Sequence, residues 1–122
     1  MWHRFSERGD IAYTTFYATR RYTRARREAC RRLVRGMARA QAALFAAKPA
    51  AIADAVASFL PKVACEALTR IITSYRESGL WSRRPDLPAA PYLRLKAALV
   101  SGGLIRSDPP YERLVDAELS QA

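Results

Sequence analysis

Ile11-Ala12-Tyr13-Thr14-Thr15-Phe16-Tyr17-Ala18 is dense in β-branched and aromatic side chains and follows the turn signal Gly9-Asp10. That composition predicts one buried strand, because branched and ring side chains suit a pleated, half-covered surface. It is the only good strand in the chain. A single strand leaves its own backbone N–H and C=O groups unpaired, so it needs a partner that the remaining sequence does not obviously supply. The missing partner is a first sign that the chain is part of something larger.

Downstream of this stretch the pattern turns helical. From Arg24 to about Ala47, Cys30, Leu33, Val34, Met37, Leu44 and Phe45 recur at three-and-four spacing, with Arg24, Arg27, Arg31, Arg35 and Arg39 on the other side. This predicts a long amphipathic helix, in which Gly36 costs about 1 kcal/mol relative to alanine unless close packing there requires it. Lys48-Pro49 opens a short second helix, with Ile52, Val56 and Phe59 on one face and Pro61 closing it. A third helix is predicted from about Val63 to Ser78, with Ala64, Leu68, Ile71, Ile72 and Tyr75 facing inward. Gly79 is placed to be its left-handed cap, and Leu80 and Trp81 fold back behind it. The proline-rich stretch Ser82 to Pro91 reads as a loop, and Tyr92, Leu95, Leu99 and Val100 mark a fourth helix ending at Gly102-Gly103. Beyond Pro109-Pro110, the residues Tyr111, Leu114 and Val115 pack a short final segment. The expected class is therefore α/β but mostly helical, with one strand and about four helices.

Composition excludes more than it selects. A chain of 122 residues is about one domain long, and 50% hydrophobic with 26% charged residues is a globular balance. The longest apolar run, Ala42 to Ala47, falls far short of the roughly 18 residues of a membrane span. The amino terminus, MWHRFSERGD, lacks the apolar core of a secretory signal, so the chain as written is expected to remain in the cytoplasm. Cys30 and Cys65 form no metal-binding or redox motif. They read as buried free thiols, or as a disulfide if the chain reaches an oxidising compartment.

No catalytic constellation is visible. His3, the single histidine, lies in an amino-terminal extension (residues 1–8) expected to fray, and no paired nucleophile accompanies it. Asp10, Asp54, Asp86, Asp108 and Asp116 are scattered without the spacing of metal ligands or of an acid–base pair. Gly102-Gly103 lacks the Lys-Ser/Thr that completes a phosphate loop. The chain is expected to be no enzyme and to carry no cofactor or metal.

Order along the chain carries more. The segments run GDIAYTTFYATRRY, RREACRRLVRGMARAQAALFAAKPAAIADAVASFLP, LTRIITSYRESGLW and LVSGGLIRSDPPYERLVDAEL. From Gly9 to Leu119 this resembles the carboxy-terminal part of ABC-importer substrate-binding proteins of the nitrate, sulfonate, taurine and thiamine-pyrimidine type. The resemblance rests on Tyr13, Ala18-Thr19-Arg20, Ala40-Gln41, Phe59 to Pro61, Tyr75 with Gly79 to Trp81, Gly103 to Ile105, and Tyr111 with Val115-Asp116.

The resemblance implies a type II periplasmic binding fold. In that fold two α/β lobes close over a small solute and deliver it to a membrane permease. Residues 9–122 would then be the carboxy-terminal part of the substrate-binding domain, without its first lobe. A first lobe and a secretory signal would be encoded upstream, with Met1 an internal codon or the gene truncated. The full-length family works in the periplasm. Tyr13 and Thr14 are the expected ligand contacts, an aromatic and a hydroxyl near the hinge able to stack on and hydrogen-bond a small polar solute. The competing reading of Tyr13 is ordinary core. Trp81 is expected to pack on its helix rather than on a ligand. Eukaryotic relatives include a thiamine-pyrimidine synthase that uses its own histidine and pyridoxal phosphate, and this chain has no matching histidine or cysteine-rich tract.

A net charge of +10 and the arginine stripe suggest a rival, a small basic helical protein that binds nucleic acid or another polyanion. Because the stripe lacks interleaved aromatics, a solvated helix face is the preferred reading and nucleic acid is disfavoured.

Overall fold

A computed structural model describes residues 9–12 and 14–120. Among them the regular structure is helical: α1 Arg20–Ala25, α2 Arg27–Ala46, α3 Pro49–Val56, α4 Cys65–Glu77, α5 Ala89–Ser101, α6 Tyr111–Leu114 and α7 Ala117–Ser120. A 3₁₀ turn, Ala57–Phe59, extends α3.

The expected strand is not formed. Among the described residues there is no ladder, residues 14–18 make no backbone hydrogen bond, and only a long Ala12 N–H to Pro91 carbonyl contact of 3.4 Å ties the stretch down. The reason is the one that made the strand doubtful as a solitary element. Among the described residues the regular structure is helical throughout, so none of it offers a paired edge to the stretch. The class is mostly helical.

The chain divides into two units. One comprises Met1–Val34 with Asp86–Ala122, the other Arg35–Pro85, and the boundary falls within α2.

In the 35–85 unit, Ala53, Leu68 and Ile72 are buried, with Leu44, Ile52, Val56, Ala57, Val63 and Trp81 packed around them. Pro49 starts α3, where its fixed φ is helical and its missing N–H is not needed. Ala53, with no side chain beyond Cβ, lets α3 and α4 approach closely. Ile71 and Tyr75 face outward, 42% and 41% exposed, and Phe59 is 80% exposed, against the expectation that all three turn inward. The spacing of Leu68 and Ile72 alone defines the buried stripe of α4.

α4 ends as its sequence suggests. Gly79 has φ +66, its N–H bonds to the Arg76 carbonyl at 3.3 Å, and Leu80 N–H reaches the Tyr75 carbonyl at 3.0 Å. These two bonds satisfy carbonyls that the helix end would otherwise leave open. Trp81 then returns to meet Tyr75 edge to face, 5.3 Å between centroids. Gly36 differs, since a Cβ there would meet nothing within 4 Å, so close packing does not explain it. Gly36→Ala is expected to stabilise the protein by roughly 0.5–1 kcal/mol, read as a higher denaturant midpoint.

The other unit is anchored by its tail. Gly103, φ +69, ends α5 in the manner of Gly79, with Leu104 N–H on the Leu99 carbonyl at 2.9 Å. Tyr111 stacks edge to face on Tyr92, 5.4 Å between centroids, and its hydroxyl donates to the Leu87 carbonyl. Leu119 is buried. α1 begins four residues before the long helix was expected because Thr19 caps it, Oγ1 accepting from Tyr22 N–H at 3.2 Å.

Candidate functional site

Of the two expected ligand contacts, Tyr13 lies outside the described residues, as do His3 and the 1–8 extension. Thr14 is exposed in the irregular stretch, with no hydrogen-bond partner among the described residues. It lines neither the shallow groove beside α5 nor the one at the α1–α2 joint.

One of those grooves runs beside α5, lined by Leu93, Lys96, Ala97, Val100, Ser101 and Asp108. Its charged groups are already engaged. Lys96 forms an ion pair with Asp108, donates to the Pro109 carbonyl at 3.2 Å, and lies 5.9 Å above the Tyr92 ring. These contacts hold the Pro109-Pro110 turn against α5 and leave no free charge for a solute.

The matched motif residues instead build local structure. Asp116 accepts Arg27 at 2.8 Å and Leu119 N–H at 3.1 Å, and so caps the start of α7. The hydrogen bond from Arg27 holds its carboxyl below the usual carboxylate range, with the Leu119 N–H assisting. A lowered folded-state pKa stabilises above the unfolded value, near pH 4, and that contribution is lost as pH falls through the lowered value. The difference in thermal midpoint between the native chain and Asp116→Ala should therefore stay constant from about pH 8 to pH 5 and shrink below about pH 4.

Gln41, also a motif residue, donates Nε2 to the Arg84 carbonyl at 3.1 Å, while its Oε1 is buried without a partner. An unmet carbonyl of this kind costs about 1–3 kcal/mol. Trp81 packs on α4, as expected.

Both cysteines are free thiols. Cys30 is half-buried, but Cys65, the first residue of α4, is exposed, against the expectation of burial. Its Sγ donates to Asp54 Oδ1 at 3.0 Å, and that bond, together with desolvation and the neighbouring acids, pushes the thiol above its ordinary value. A thiol raised in this way carries less thiolate at neutral pH than a free one.

Two features escaped the sequence reading. The first is Arg76, which donates to the Ala47 and Phe45 carbonyls at 2.7 and 2.9 Å and caps the end of α2, whose own last turn has no basic residue. The second is the exposure of Phe16, Tyr17 and Tyr22 beside the first arginines. Reading Phe16 and Tyr17 as strand core concealed it. Among the described residues no cluster of three or more His, Cys, Asp or Glu could hold a metal, and no helix is long and apolar enough to cross a membrane. Comparison with known protein families, curated proteins and solved structures finds no match to this chain.

Proposed function

We propose that this chain is the carboxy-terminal part of a substrate-binding component of an ABC importer, or a remnant of one. Its solutes would be small nitrogen- or sulfur-containing compounds such as nitrate, alkanesulfonates, taurine or pyrimidine precursors of thiamine. One observation carries the reading. Three apolar residues at the matched motif positions stand uncovered, Phe59 80%, Leu104 75% and Leu80 61% exposed. Side chains of this kind are ordinarily covered, and on this reading a first lobe of the type II periplasmic fold is the element that would cover them. The stretch 11–18 supports the same reading, because it has the composition of a strand and no sheet to join among the described residues. On this account Tyr13 and Thr14 contact solute only once that sheet is supplied, and the permease is the partner of the completed protein.

Thermal unfolding of the chain with each solute tests it. A ligand at 100 times its dissociation constant adds about 2.7 kcal/mol and must raise the midpoint. An upward shift with one of these solutes, and not with sodium chloride at equal ionic strength, is the expected result for a competent site. If every solute leaves the midpoint unmoved, for the chain alone and for the chain joined to an upstream-encoded first lobe, the importer reading is wrong.

A further inference from the structure

The charge of the chain is concentrated at one end. Between Asp10 and Asp54 there are nine arginines and one lysine against a single acid, Glu28, whereas elsewhere bases and acids nearly balance. Within this stretch some arginines are occupied. Arg27 bridges Asp116 and Glu118, Arg32 pairs with Glu28 at 3.4 Å, and Arg20 donates to the Arg113 carbonyl. Arg21, Arg24, Arg26 and Arg31 are exposed, and their guanidinium groups have no acceptor among the described residues.

Three rings lie close to these four cations in sequence. Tyr17 is 95% exposed, Phe16 74% and Tyr22 54%. The α1–α2 joint forms a shallow groove lined by Ala25, Arg26, Arg27, Glu28, Ala29 and Arg32. All of this belongs to one unit of the chain.

We propose that the segment from Phe16 to Arg32 is a binding surface for single-stranded nucleic acid, an inference independent of the importer reading. Free guanidinium groups attract a phosphate backbone, release its counterions and donate to its oxygens. That much fits any polyanion. The rings narrow the partner, because uncovered aromatic faces stack on unpaired bases, and duplexes keep those base faces buried. An anionic lipid surface would use the arginines equally but prefers rings aligned on the apolar side of a longer amphipathic helix. Phe16 and Tyr17 instead lie in an irregular stretch ahead of α1, free to adapt to a strand.

The test is fluorescence anisotropy of a labelled oligothymidylate with the full chain at about 50 mM salt, with a matched duplex and phosphatidylserine vesicles as competitors. The expected result is preferential binding of the single strand, with a log–log salt slope of about 0.7 per phosphate contacted. Phe16→Ala/Tyr17→Ala should weaken binding at least about fivefold with the slope unchanged. Arg21→Gln/Arg24→Gln should flatten the slope by about 1.4. Arg70→Gln/Arg106→Gln, the same change of charge elsewhere, should do markedly less. These four positions and the two rings are exposed, so circular dichroism should show every variant folded. The proposal is overturned by no binding, by equal binding of duplex, by vesicles that displace the oligonucleotide, by an aromatic variant that binds normally, or by a remote-arginine variant that loses as much.

Discussion

Ile72→Ala is expected to destabilise the 35–85 unit by about 2–5 kcal/mol, while the same truncation one residue earlier, at Ile71, should cost well under 1 kcal/mol. The two residues are chemically identical neighbours with opposite surroundings. Ile72 is 5% exposed and shares the core with Ala53 and Leu68, whereas Ile71 is 42% exposed. Because few side chains are fully buried here, each one holds a large share of the stability. For a small unit, whose total stability is commonly a few kcal/mol, the Ile72 loss is enough to abolish cooperative unfolding at 37 °C. Urea denaturation of both variants checks this. Equal losses would mean that the α3–α4 packing is not the core of the unit.

Arg76→Met should cost about 1.5–3 kcal/mol, the next largest effect. Methionine keeps an aliphatic stem of similar reach but gives up two charge-assisted hydrogen bonds, leaving the Phe45 and Ala47 carbonyls without these donors. The loss also removes a cation from the negative end of α2. Arg76→Lys should recover less than half, because an ammonium does not present the planar fork that meets two carbonyls at once. Amide exchange resolved by residue should show fraying in the last turn of α2 in the methionine variant. If lysine restores full stability, charge rather than geometry holds the α2 terminus.

Much of the helical layout was legible because its signals are local. Pro49 at a helix start, Gly79 and Gly103 at helix ends, and the Leu68–Ile72 spacing each act within one or two turns. The strand was not legible, because forming one depends on a partner edge that no local signal encodes, and Ile11 to Ala18 carries strand composition without a sheet. Arg76 escaped for a related reason. Its role is set by carbonyls about thirty residues away, and in sequence it is one arginine among many. The expected solute contacts depended on the strand, and Thr14 stands exposed in an irregular stretch. The aromatic and basic surface was missed by the same step, since rings assigned to a buried strand cannot also be stacking platforms.

The central claim is that this chain is mostly helical and carries a strand-competent stretch that finds no paired edge among the described residues. Hydrogen exchange of the purified chain, resolved by residue, addresses this directly. Amides 14–18 should exchange at nearly the rate of an unfolded peptide, while those of Leu68 and Ile72 in α4 are protected to the limit set by unfolding of their unit. Protection at 14–18 comparable to that of α4, at a protein concentration too low for self-association, would mean that the stretch is a paired strand after all and would contradict the account.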